Sequence, residues 1–134
     1  MGQAETRRLQ HGRPLSPHLQ VWRWHVTMLT SILHRMTGGA LYGAAVGLAA
    51  WLLLGAFAPE AFGFADFLLR SIPGQAVLFL VLLALIFHFV NGLRHLSWDA
   101  GKGLNVRAAN ASGWLVIVVS ILISAAIFAA ALLV

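Results

Sequence analysis

Three apolar stretches, at about residues 30–57, 72–98 and 112–134, decide what this chain can be. A helix needs about 20 mostly apolar residues to cross the hydrocarbon core of a bilayer, and each stretch has them. A backbone in lipid has no water to bond, so it must satisfy itself as helices or as a closed barrel. Nothing in these stretches alternates with period two, which removes the barrel. The expectation is all-α: an integral membrane bundle of three transmembrane helices, one domain over residues 1–134, with 1–29 as a cytoplasmic or interfacial segment. Composition agrees. The 134 residues are 60% hydrophobic and 10% charged, against a charged share of about 25% in soluble domains. Disorder goes with low hydrophobicity and is excluded by the same figures.

Punctuation supports these limits. Pro59 follows the first stretch, Pro73-Gly74 opens the second, and Lys102 with residues 105–110 makes a polar connection before the third. Arg7, Arg8, Arg13 and Arg23 precede the first span, and Lys102 and Arg107 lie between the second and third. The first loop has Arg70 against Glu60 and Asp66. By the positive-inside rule the N-terminus and second loop are cytoplasmic and the C-terminus is periplasmic. The net charge of +5 is therefore a topology signal, and no nucleic-acid partner is expected. Trp22, Trp24 and Trp98 fall near the cytoplasmic interface. Met1-Gly2 with Thr6 fits a loose myristoylation pattern, which three spans make redundant. No cleavable signal peptide is expected either, since the first apolar run is too long for an h-region.

The chain has no cysteine. That removes disulfides, thiolate-held zinc, iron–sulfur clusters and covalently attached c-type haem from it; a redox cofactor would be held non-covalently, with histidine the favoured ligand.

Ionisable groups inside spans are costly and so mark function by default. Ser31, His34 and Arg35 share one side of the first helix through offsets of three and four. They offer donors to an anionic or carbonyl oxygen. The competing reading is that Arg35 only snorkels to the interface. Gly39, Gly43 and Gly47 repeat a small-xxx-small pattern that lets a helix or a flat cofactor approach the backbone.

The second helix is more informative. His88, Asn91, Gly92 and His95 form one face, and His88 lies about 15 Å inside the cytoplasmic end at 1.5 Å per residue. An imidazole near mid-membrane, with a glycine one turn away, suits an axial haem ligand; a histidine bonded to a neighbouring helix is the alternative. Arg94 and His95 lie where haem propionates would emerge, with Asp99 available to cap or pair with them. His34 reads as too shallow to match His88, so a second axial ligand is expected from another chain. Ser120 and Ser124 on the third helix read as packing. Asn91 has no role that the sequence assigns.

The runs Arg13-Pro14-Leu15-Ser16-Pro17-His18-Leu19, Ser31-Ile32-Leu33-His34-Arg35-Met36-Thr37-Gly38 and His88 through Asp99 together resemble the cytochrome b subunit of succinate dehydrogenase, the large membrane anchor of respiratory complex II. The resemblance spans nearly the whole chain in order. It implies one of two small anchors in a four-subunit succinate:ubiquinone oxidoreductase of the tricarboxylic acid cycle and respiratory chain. FAD and iron–sulfur clusters would reside only in the flavoprotein and iron–sulfur partner subunits, and this subunit would not be catalytic alone. Carried over by motif, His88 matches a ligand of haem b whose other ligand comes from the second anchor. Ser31 and Arg35 match ubiquinone-pocket residues, and His34, Arg35 and His95 match the haem-propionate neighbourhood. The absence of a presequence-like extension points to a bacterial inner membrane. Two rivals remain at this level: an anchor of a fumarate reductase running in reverse, and a cofactor-free anchor or small transporter. A transporter would be expected to show inverted repeats or broken helices.

Overall fold

The computed structural model describes residues 23–133. The N-terminal segment with Arg7, Arg8, Arg13, Trp22 and the first motif of the resemblance lies outside the described residues, as does Val134. Among the described residues there are four helices and no strand: α1 (Val26–Phe57), α2 (Pro59–Arg70), α3 (Ile72–Asp99) and α4 (Val106–Leu132). Three of them, α1, α3 and α4, are long and apolar enough to cross a membrane. The 27 residues of α4 make a rod about 40 Å long, longer than a hydrocarbon core of about 30 Å. The ends therefore carry polar turns that no apolar run reveals.

Two boundaries differ from the sequence expectation for that reason. α4 begins at Val106 rather than near 112, because Asn105 caps it: its side chain accepts from the Ala108 N–H at 2.8 Å, satisfying a donor that the first turn leaves orphaned. α1 begins at Val26, one turn before the apolar stretch, with the His25 carbonyl accepting from Met28 and Leu29.

A further difference is α2, which fills what read as a loop. Pro59 stops α1 and starts α2 as its first residue, where its missing N–H costs nothing. Glu60 in the first turn and Arg70 in the last complement the helix dipole. Arg70 pairs with Asp66 at 2.7 Å, an exposed i,i+4 bridge that adds little stability. Ser71 ends α2 and caps α3 by accepting from Gly74 N–H. A Cβ at Gly74 would run into the Leu68 and Leu69 carbonyls, so this corner requires glycine.

α3 ends in a Schellman turn. Gly101 takes φ +74°, its N–H donates to the Trp98 carbonyl, and Lys102 N–H donates to Ser97.

The pairings across helices fix their directions. His34 meets His88 and Thr30 meets Arg94, so α1 and α3 are antiparallel. Arg94 meets Ser112 and Phe79 meets Phe128, so α3 and α4 are antiparallel too. The core between them inverts the pattern of a water-soluble bundle. Phe87 and Val116 are its buried apolar residues, beside buried Thr30, Asn91, Arg94, Ser120 and Ser124. Large apolar side chains such as Leu52, Leu80, Phe89 and Leu122 face outward. Close approach comes from small residues, as at Gly113, where a Cβ would press on Val26 at 3.3 Å.

Candidate functional site

The site grows from the crossing of α1 and α3. Because α1 starts at Val26, His34 lies about 12 Å along it, while His88 lies about 16 Å from the end of antiparallel α3, at 1.5 Å per residue. Their rings stack, with centroids 4.0 Å apart and planes within 10°. The expectation that His34 is too shallow to match His88 is thereby corrected. It followed from counting from the apolar run, which begins a turn later than the helix. His95, two turns from His88, tilts onto His34 at 5.2 Å. Trp98 meets His95 edge-on at 5.2 Å. The three imidazoles lie in a row instead of converging, and among the described residues no group of three His, Asp or Glu could hold a bare metal ion.

The contacts of His88 define its proton. Its Nδ1 lies 3.2 Å from the His34 carbonyl oxygen and 3.2 Å from Thr37 Oγ1. The Thr37 hydroxyl donates back along its own helix, towards the carbonyls of Leu33 at 2.8 Å and His34 at 3.0 Å. Both neighbours of Nδ1 therefore present lone pairs, and only a protonated Nδ1 satisfies them. That leaves the ring's lone pair on Nε2, the form in which an imidazole ligates a metal, with the other nitrogen anchored to a backbone carbonyl. The site residues fit a haem on this ground.

Ser31 and Arg35 also meet. Arg35 Nη2 donates to Ser31 Oγ at 3.3 Å, and the guanidinium is exposed rather than packed into the bundle. Accepting from Arg35 leaves the serine proton available to an outside oxygen. The structure brings His34, His88 and His95 into one cluster and places the Ser31–Arg35 pair on the adjoining turns of α1.

Sequence reasoning missed the polar centre of the bundle. Arg94 is only 6% exposed. Its Nε donates to Ser112 Oγ at 2.9 Å, Nη1 to Thr30 Oγ1 at 3.1 Å and Asn91 Oδ1 at 3.3 Å, and Nη2 to the Ala109 carbonyl at 2.9 Å. Its guanidinium also lies 4.0 Å over the Trp98 ring. The expected partnership with Asp99 is absent: the ion pair among the described residues is Arg70–Asp66, and Asp99 is exposed. One helical position decides this. Arg94 is three residues from Asn91 and points with it into the α1–α3–α4 junction, whereas Asp99 lies at the end of α3. Asn91 thus gains a role, as an acceptor for the buried guanidinium. The available signal was the offset of three between Asn91 and Arg94. The glycines at 39, 43 and 47 contact none of the described helices, since a Cβ at each would meet nothing within 4 Å.

Fold and site together define a small helical membrane subunit with histidines stacked between two of its membrane-length helices. Residues 10–127 match the family of succinate dehydrogenase/fumarate reductase transmembrane subunits, and the chain belongs to that family. It is similar to the succinate dehydrogenase cytochrome b556 subunit of Rickettsia felis, at 42% identity over 112 residues that cover 84% of this chain and 87% of that one. The b556 subunit of Paracoccus denitrificans is 42% identical over 112 residues, covering 84% and 86%. The mitochondrial cytochrome b560 subunit of Mus musculus is 39% identical over 114 residues, covering 84% and 68%.

Proposed function

We infer that this chain is a membrane anchor of succinate:ubiquinone oxidoreductase, holding haem b through His88 together with a ligand from a second small anchor. The observation that carries this reading is the His88 Nδ1 tied to the His34 carbonyl, which reserves Nε2 for iron. His34, stacked on it, and His95, tilted against His34, are imidazole donors suited to the propionates, as is the Arg35 guanidinium. When bound, the haem supplies a one-electron carrier in a layer that otherwise conducts poorly. The relatives' names favour succinate as the electron source over the reverse reaction.

Ubiquinone reduction asks something different of the chain. A quinone carbonyl gains negative charge as electrons arrive, and donors already in place stabilise that charge in a low-dielectric site. Arg35 orients Ser31 by donating to its oxygen, so the serine proton and the remaining guanidinium N–H groups can converge on one carbonyl oxygen. The quinone leaves as quinol after taking up two electrons and two protons. The electrons originate at FAD in the flavoprotein and pass through the iron–sulfur subunit, so this chain alone oxidises nothing.

Arg23, Lys102 and Arg107 gather at the end of the bundle where α1 and α4 start and α3 stops. That end is the cytoplasmic one by the positive-inside rule, in a bacterial inner membrane, and it is where the flavoprotein and iron–sulfur subunits dock. The chain acts as one anchor domain over 1–134, with 1–29 as its interfacial segment, and the open glycine stripe of α1 suits the second anchor.

Co-expression of the four subunits tests this. Membranes containing this chain are expected to reduce ubiquinone with succinate. Deleting it should leave the flavoprotein and iron–sulfur subunits in the soluble fraction, reducing only an artificial dye. Membrane-bound, quinone-reducing enzyme in the deletion strain would refute the assignment.

A further inference from the structure

We propose that Thr37 and Gly38 form a positioning cradle for His88, in which the Thr37 hydroxyl accepts the Nδ1 proton and the bare Gly38 backbone sets the plane of the ring. This rests on His88 being an axial haem ligand. Three observations place the cradle.

Thr37 Oγ1 is 3.2 Å from Nδ1 while its own proton is held by the Leu33 and His34 carbonyls. The threonine oxygen is thereby committed as an acceptor, and a second acceptor joins the His34 carbonyl at the same nitrogen. A hydroxyl that merely bonded back along its helix would fill a local need without facing another helix; this one bridges α1 to α3.

Gly38 supplies the shape. A Cβ there would sit 3.1 Å from His88 Cε1 and 3.7 Å from Nδ1. Any side chain at 38 would push the imidazole edge away from the two acceptors. The requirement is specific to this glycine: its neighbour Gly39 has open space where a Cβ would be. One face of the His88 ring is stacked on His34. Hydroxyl, backbone and stacked ring together allow one ring orientation.

The consequence is electronic. An acceptor on the remote nitrogen of a ligating imidazole raises its basicity, and second-sphere hydrogen bonding of this sort tunes haem potential. Two acceptors make His88 a stronger donor and favour ferric haem.

The test uses the assembled four-subunit complex. Thr37→Val keeps the side chain's shape and removes the hydroxyl. The haem midpoint potential is expected to rise, with b-type absorbance retained because the His34 carbonyl still accepts. Thr37→Ser restores an acceptor and should return the potential to the parental value, which a packing role for the threonine methyl would not do. Gly38→Ala leaves Thr37 in place and suits a helix interior better than glycine, but presses on the ring. It should shift the largest g value of the oxidised low-spin haem, which reads the relative angle of the two axial rings. If Thr37→Val loses its haem, Gly38→Ala decides alone. Parental potential and g values in the haem-loaded variants would overturn the cradle. A haem spectrum unmoved by His88→Leu would instead overturn the ligand assignment on which it rests.

Discussion

Arg35 and Ser31 show how a single hydrogen bond changes what two residues can do. A snorkelling arginine needs no partner, whereas this one donates to a serine one turn back. Arg35→Lys keeps the charge but removes the planar fork of donors. Succinate–ubiquinone activity is expected to fall by about 10²–10³, the usual cost of losing a donor to developing charge, while succinate–dye activity persists. Ser31→Ala should show the same split more mildly. Steady-state assays with both acceptors check this, and a parental quinone rate in Arg35→Lys would make Arg35 a topology signal. The offsets of three and four that unite Ser31, His34 and Arg35 were legible in the sequence, because they lie within one helix. The acceptors of His88 were not. Thr37 and the His34 carbonyl are 51 and 54 residues from it, and no spacing rule says which turns of two helices will face each other.

At the scale of elements, the apolar runs located α1, α3 and α4, since length and hydropathy are properties of local sequence. Their ends were less visible: Asn105 and the turn after it are polar, and read as connection until the cap is seen. α2 escaped notice because a 12-residue helix carrying Glu60, Asp66 and Arg70 resembles neither a span nor an obvious turn. What binds α1, α3 and α4 together is Arg94. A charge out of water is tolerated only when well bonded, and here Thr30 on α1, Asn91 on α3 and Ser112 with the Ala109 carbonyl on α4 supply the acceptors. Arg94→Leu would strand these groups. At about 1–3 kcal/mol for each buried polar group left unpaired, the loss should be several times that of an ordinary surface change. Thermal denaturation of the detergent-solubilised complex is expected to show a clear drop in Tm, with Arg94→Lys intermediate. An unchanged Tm in Arg94→Leu would mean that the guanidinium is not what joins the helices.

The described helices are polar where they meet and apolar outside, and several of the candidate site residues face away from the bundle. Gly39, Gly43 and Gly47 meet none of the described helices, Arg35 is exposed, and the His34 and His88 rings are stacked on one another. Such a surface fits the proposed reading, in which other subunits complete a haem site and a quinone site. Composition already bore on this, since a chain without cysteine offers no thiolates to an iron–sulfur relay. The most direct measurement is the reduced-minus-oxidised spectrum of the purified complex, with His88 and with His88→Leu. The parental complex is expected to show the bands of low-spin, six-coordinate b haem at one haem per flavin, and His88→Leu to lose the haem or its low-spin form. A full complement of unaltered six-coordinate haem in the His88→Leu complex would contradict the account.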